Sequence, residues 1–206
     1  MKKNIFITGI STEVGKTLVA SIVTEALQAD YWKPVQAGEL DYSDSDKVRE
    51  LIQNKRTVIH PNSYALQTPM SPHAAAEIDN THIDIQKITP PNTKNHLVIE
   101  GAGGLLVPLN ETETIADIID PSYKIIVVSR HYLGSINHTL LTLQYLKDKG
   151  FETSVIFSGN EHPSTESIIQ KMSGVSVLGR VEEEEKIDRQ TVQKYANQLR
   201  GTLETL

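Results

Sequence analysis

The stretch Gly9-Ile-Ser-Thr-Glu-Val-Gly-Lys-Thr17 holds the residue types a polyphosphate needs, at a spacing that can bring them together. A triphosphate is held by several backbone N–H groups aimed at one point, a helix N-terminus behind them, an ammonium on the β- and γ-phosphates and a hydroxyl on Mg2+. Gly15 lets the backbone approach closely, Lys16 supplies the charge and Thr17 the hydroxyl. The apolar run at 4–8 and the helix-like run at 18–27 flank the stretch as strand and helix, the setting of a P-loop. The strict pattern G-x-x-x-x-G-K-[ST] would put its first glycine where this chain has Ile10. Gly9 comes one residue early, so the loop is a variant.

Further chemistry-bearing residues fall where strands end. Lys33 lies in Tyr31-Trp-Lys-Pro-Val-Gln-Ala-Gly38, where Pro34 and Gly38 bend the chain. It either points over the sheet edge beside Lys16, matching a phosphoryl group whose charge spreads during transfer, or is an exposed surface lysine. Glu100 closes the run Leu-Val-Ile and opens Gly101-Ala-Gly-Gly104. A carboxylate there can reach Mg2+ held by Thr17, and the glycines let the backbone of Gly101, Ala102 and Gly103 come near a ligand. The alternative is a polar strand end followed by a flexible turn. Asp44 and Asp46 offer a second carboxylate, with helix capping as the other use of either; Asp44, three residues before Lys47, reads as an N-cap. No histidines pair at metal-ligand spacing, so no zinc site is expected, and His73 after Ser71-Pro72 reads as the first turn of a helix.

These residues need a scaffold, and the pattern supplies one. Apolar runs at 4–8, 31–35, 96–100, 124–129, 153–157 and 175–179 read as strands. Helix-like segments at 16–28, 44–53, 135–149, 164–172 and 187–199 lie between and after them. Such alternation predicts an α/β fold, a three-layer P-loop architecture with a mostly parallel central sheet and helices on both faces. Ligands then bind beyond the carboxyl ends of the strands. The proline-rich stretches 61–72 and 89–94 read as loops, and the acidic run 182–185 as a solvated surface.

A length of 206 residues suits one domain over 1–206 with a core of that depth. The net charge of −6 argues against nucleic acid or an anionic membrane as partner. The absence of cysteine excludes disulfides and thiolate chemistry. Without an apolar run of membrane-spanning length or a leader-like start, the expected location is cytoplasmic.

In combination, several segments resemble the dethiobiotin synthases, ATP-dependent ligases of biotin biosynthesis. They are Thr8-Gly-Ile-Ser-Thr-Glu-Val-Gly-Lys-Thr17, Lys33-Pro-Val-Gln36, Ser45-Asp46, Ser71-Pro-His73, Glu100-Gly-Ala-Gly-Gly104, Pro108-Leu109, Ala116-Asp117 and Leu133-Gly-Ser-Ile-Asn-His138. The resemblance covers positions 8–138, and the last third follows by secondary-structure pattern. It implies a homodimer with active sites at the subunit interface, acting on 7,8-diaminononanoate, CO2 and ATP with Mg2+. One amine is carbamylated, the carbamate attacks the γ-phosphate, and the resulting carbamic-phosphoric anhydride closes onto the second amine. Carried onto this chain, Glu13, Val14, Gly15, Lys16, Thr17 and Leu18 wrap the phosphates. Thr17, Asp46 and Glu100 hold Mg2+, which favours Asp46 over Asp44. Lys16 and Lys33 stabilise the transferring phosphoryl group and the carbamate, and Thr12 lies beside the reacting amines. Gly103 and Asn137 receive the substrate carboxylate, Asn137 from the partner subunit.

Three positions depart from the family pattern. Ala37 stands where a hydroxyl usually contacts substrate; Asn160, expected to read the base, sits one residue late behind Gly159; and Val181-Glu182 replaces a usual Ile-Pro. Two other readings share parts of the pattern. Partitioning or septum-positioning ATPases have this fold but carry a second lysine early in the phosphate loop, where Ser11 and Thr12 stand, and often a basic membrane-seeking tail, which this chain lacks. Amide-forming ligases of larger acids such as corrins carry a glutaminase cysteine, and here there is none.

Overall fold

In the computed structural model, which describes residues 2–206, the β-branched runs become the strands of one sheet. In chain order the elements are β1 (Asn4–Gly9), α1 (Lys16–Leu27), β2 (Asp30–Trp32), β3 (Val35–Ala37), α2 (Asp44–Leu51), β4 (Ile59–His60), β5 (Tyr64–Leu66) and α3 (Pro72–Ile78). Then follow β6 (Leu97–Glu100), β7 (Lys124–Arg130), α4 (Ser135–Asp148), β8 (Thr153–Ser158), α5 (Pro163–Ser173), β9 (Ser176–Val181) and α6 (Arg189–Glu204). Seven strands form the main sheet in the order β4-β2-β6-β1-β7-β8-β9, parallel throughout. The central strands are buried on both faces, as consecutive Ile5, Phe6 and Ile7, or Ile126, Val127 and Val128, require. One helix layer is α1 packed on α6 and α2; the other is α4 packed on α5 and on β7 and β8. The expected α/β architecture is the one observed.

Local chemistry explains where the pattern was read too simply. The single strand expected at 31–35 divides at Lys33-Pro34: β2 stays in the main sheet, while β3 leaves it to pair with β5 in a separate two-stranded sheet. Proline has no N–H to give to a ladder, so it marks the departure. The stretch 61–72, expected as a loop, contributes β5, and two-residue β4 closes the main sheet edge beside β2. Helix α3 begins with Pro72 at its first turn after Ser71, as expected. The N-cap of α2 is Ser43, not Asp44. Asp188 caps α6 by accepting from the N–H groups of Gln190 and Thr191, so that helix starts later and runs further than 187–199. Among the described residues no helix is long and apolar enough to cross a membrane.

Candidate active site

Three neighbouring strands, β2, β6 and β1, end side by side, and each delivers one part of the site. Ile7 of β1 lies level with Glu100 of β6, and Tyr31 and Trp32 of β2 lie level with Val98 and Ile99. The phosphate loop therefore leaves β1 beside Glu100, and Lys33 follows β2 on the other side. The early glycine has a steric cause. A Cβ at Gly9 would stand 2.5 Å from Val14 Cγ2 and 2.8 Å from the Ser11 carbonyl oxygen, so the loop closes only over a glycine. Gly15, at φ +94°, is the left-handed residue from which α1 starts, and a Cβ on it would stand 3.0 Å from Ser158 Oγ.

The charged groups converge on Glu100. Thr17 Oγ1 donates to its Oε1 at 2.8 Å, Lys33 Nζ lies 3.2 Å from the same oxygen, and Tyr31 Oη donates to Oε2 at 2.8 Å. Lys33 also pairs with Asp44, whose other oxygen receives Lys47 Nζ at 3.2 Å. Lys16 Nζ donates to the Ser11 carbonyl at 2.9 Å. Lys33 is thus no surface lysine: it is 5% exposed, with Glu100 at 1% and Lys16 at 8%. Two lysines and two carboxylates share one buried corner.

Burial and pairing push the two lysines apart. Desolvation lowers Lys16 to about 8, helped by the charge of Lys33 and opposed by Glu100 and Asp44. Desolvation also acts on Lys33, but Glu100 and Asp44 outweigh it and the net shift is upward. Asp44 would be raised by its burial, yet Lys33 and Lys47 carry it below its ordinary value.

The cleft over these groups has a volume of about 950 Å3. Its wall includes Thr12, Glu13, Gly15, Lys16, Thr17 and Leu18 from the loop and first turn of α1. It also includes Gln36, Ala37, Ala102, Gly103 and Val107. The ends of β7, β8 and β9 add Arg130, Gly159 and Glu183, with Arg130 Nη2 2.8 Å from Glu183 Oε1. Such a volume can hold a nucleotide together with a small acid.

Val14 keeps its place in the loop between Glu13 and Gly15, with its side chain buried against Gly9. Other expected residues stand elsewhere. Gly101 is packed on the Phe6 ring, which a Cβ would approach to 3.1 Å. Asp46 is the N3 residue of α2: its carboxylate accepts from Ser43 N and Oγ at 3.0 and 2.6 Å and pairs with Arg49, outside the cleft. Those hydrogen bonds hold it below its ordinary pKa. Asp44, not Asp46, is the carboxylate of α2 that lines the cleft and pairs with Lys33. Asn160 is exposed and off the cleft wall, where Gly159 stands instead. Asn137 is exposed on the first turn of α4 and lines a second, apolar cleft of about 540 Å3 with Leu141 and Met172.

Two residues escaped the sequence reading. Tyr31 was seen only as a strand residue, and Gln36 only as part of a motif. Gln36 Oε1 is buried without a partner among the described residues, beside Ala37 in the cleft wall. The period-two alternation of the strand pairs could have pointed to Tyr31, because it sets residue 31 on the face of residue 100 once β2 and β6 are neighbours.

A hard divalent cation fits this corner by donor type. Thr17, Asp44 and Glu100 present only oxygen, and their net negative charge is now met by Lys33. Among the described residues no three His, Cys, Asp or Glu side chains gather as a metal cage.

Comparison with known proteins agrees in kind. A family model described as an AAA domain matches residues 3–191. The ATP-dependent dethiobiotin synthetase BioD of Christiangramia forsetii is 57% identical over 204 residues, covering 98% of this chain and 99% of that protein. The protein of the same name from Cytophaga hutchinsonii is 50% identical, covering 96% and 97%. Among solved structures, a putative plasmid partition protein of Borrelia burgdorferi bound to AMPPNP superposes with a TM-score of 0.62 at 12% identity, covering 100% of this chain and 99% of that one. The MinD cell division protein of Aquifex aeolicus gives 0.58 at 15%, covering 97% of each. At those identities the structures speak for the fold alone.

Proposed function

The chain belongs to the ATP-dependent dethiobiotin synthetases, and from that premise we propose that it closes the ureido ring of dethiobiotin from 7,8-diaminononanoate, CO2 and ATP. CO2 adds to one amine, which gives up a proton and becomes a carbamate. A carbamate oxygen attacks the γ-phosphorus and ADP leaves. The second amine then attacks the carbonyl carbon of the carbamic-phosphoric anhydride, loses its proton, and phosphate departs. The observation that carries this reading is the convergence of buried Lys16 and Lys33 on one corner at the end of the phosphate loop.

In this reading Glu13, Gly15, Lys16, Thr17 and Leu18 wrap the phosphates, and Thr17, Asp44 and Glu100 hold Mg2+. When bound, that ion neutralises charge on the β- and γ-phosphates. Lys33 offers its ammonium to the carbamate and to the oxygens of the transferring group, and Lys16 to the same oxygens from the loop side. Thr12 lies beside the reacting amines, and Gly103 in the cleft wall helps receive the substrate carboxylate. Little covalent work is asked of the protein. Holding carbamate and phosphate in line can contribute on the order of 7–11 kcal/mol, and a fixed ammonium roughly 3 kcal/mol more.

The protein works as a homodimer in the cytoplasm. Support for the dimer comes from Leu133, Ile136 and Leu141, which leave apolar surface exposed at and before α4. Asn137 lies among them, outside its own chain's cleft, so its contact with the substrate carboxylate belongs to the partner's site. Its place in the first turn of a helix suits an anion.

The test is phosphate release from ATP and Mg2+ in bicarbonate buffer, with and without 7,8-diaminononanoate. Release that requires the diamine and matches the ureido product in amount is expected. Release indifferent to the diamine would overturn the reading in favour of a partner-regulated ATPase.

A further inference from the structure

We propose that Tyr31 is a positioning residue that fixes the plane of the Glu100 carboxylate, and so the direction in which an oxygen faces the metal and phosphate, an assignment that rests on Glu100 being a Mg2+ ligand. Tyr31 of β2 is level with Val98 of β6, and side chains two residues apart on a strand share a face, so Glu100 stands one step further along the same face. The phenol spans that step, and its Oη donates to Glu100 Oε2 at 2.8 Å. Both side chains are sealed in, at 0% and 1% exposure.

The two oxygens of Glu100 have different employment. Oε1 receives Thr17 at 2.8 Å and Lys33 at 3.2 Å, and these belong to the phosphate loop and the cleft wall. Oε2 is committed to Tyr31, which is not part of that wall. Turning the carboxylate out of this plane would strip a buried phenol of its partner, a costly outcome in the core. The phenol therefore restricts Glu100 to one orientation with one oxygen presented outward. Tyr31 touches no substrate and acts through Glu100. Outer partners that orient a ligating carboxylate commonly matter by about 10–100-fold in metal affinity or activity.

A buried phenol that merely satisfies itself on the nearest acceptor would leave the metal requirement unmoved. The test is therefore Tyr31→Phe in the full chain, which keeps the ring and removes one oxygen. Two readouts are taken. One is the Mg2+ concentration giving half-maximal turnover at fixed ATP. The other is Mn2+ binding to the protein with ADP, followed by electron paramagnetic resonance without diamine and so without turnover. We expect both midpoints to rise by about tenfold or more, with kcat at saturating Mg2+ changed far less. Glu100→Gln is measured alongside. A shift in Glu100→Gln with none in Tyr31→Phe overturns the role of Tyr31 and leaves the ligand reading standing. No shift in Glu100→Gln overturns the ligand reading, and the role of Tyr31 with it. Should Tyr31→Phe not fold, 4-aminophenylalanine in place of Tyr31 restores a donor at that point. Midpoints near those of the unaltered protein are then expected, and a shift of about tenfold would sink the proposal.

Discussion

Two triplets of strand ends meet across the cleft. Strands β2, β6 and β1 bring Lys33, Glu100 and the loop carrying Lys16, all at most 8% exposed. Strands β7, β8 and β9 bring Arg130, Gly159 and Glu183, and there the ion pair has side chains 41% and 56% exposed. The physical regimes differ. A buried charge is tolerable only with its partners in place, and removing one partner commonly costs about 3–5 kcal/mol. An exposed pair is worth about 0–1 kcal/mol. The first triplet is thus tightly determined: Glu100 is held by Thr17, Tyr31 and Lys33, Lys33 by Glu100 and Asp44, and Lys16 by the Ser11 carbonyl. The second is loosely held, and two of the departures from the family pattern, Gly159 with its displaced Asn160 and Glu182, fall there.

The sharpest way to break the contrast is to empty the corner. Lys33→Ala leaves Asp44 and Glu100 buried without their shared cation. Turnover should fall by roughly 10²–10³-fold and unfolding free energy by about 3 kcal/mol, read from steady-state rates and urea melts. Unaltered turnover would remove Lys33 from the chemistry and dissolve the difference between the triplets.

A finer probe separates two carboxylates on one helix. Asp44→Asn should lower turnover by about tenfold or more and raise the Mg2+ requirement. Asp46→Asn should cost about 1 kcal/mol of stability through the weakened cap and leave the Mg2+ requirement where it was. A Mg2+ shift in the second variant and not in the first would return the ligand role to Asp46.

The mildest probe is pH. Lys16 titrates at about 8 in the free protein, so kcat/KM for ATP should fall about tenfold per unit above that pH as the ammonium is lost. Bound phosphate holds the proton, so kcat itself persists to higher pH. The stability of the free protein moves the other way. The native pKa lies below the ordinary 10.5, so the unfolded chain binds more protons between the two values, and stability rises with pH across that window. A kcat/KM for ATP that stays level well past pH 8 would mean that Lys16 is not held in the buried setting described.

Legibility in the sequence followed the same divide. The P-loop and Glu100 could be read because they sit at the ends of β-branched runs, where period and position agree; Lys33, after Tyr31-Trp32, stayed open between cleft and surface by local pattern alone. Asp44 and Asp46 could not be told apart, because their faces on α2 depend on which residue caps it. Once Ser43 takes the cap, residue 46 is N3 and turns back onto the cap, leaving residue 44 to face Lys33. The one-residue delay of Asn160 behind Gly159 was visible in the sequence, and β8, running one residue past the expected 157, leaves Gly159 in the cleft wall and Asn160 exposed. The second sheet was hidden for another reason. Strands of two or three residues carry too little periodicity to register, and Pro34 decides their partner through the bond it cannot make.

The strand order has a consequence in time. β1 and β2 are consecutive strands of the main sheet in the chain, yet β6 lies between them. While the ribosome is still making the first 90 or so residues, these two strands have no ladder to share, and the gap is one strand wide, with neighbours spaced at about 4.8 Å. Leu97–Glu100 must arrive before that side of the sheet can close, and the segment that closes it ends in the carboxylate on which Thr17, Tyr31 and Lys33 converge. Nascent chains stopped short of residue 100 therefore carry a complete phosphate-loop sequence without the strand that joins it to Lys33, and the catalytic corner and that side of the sheet become whole in the same step.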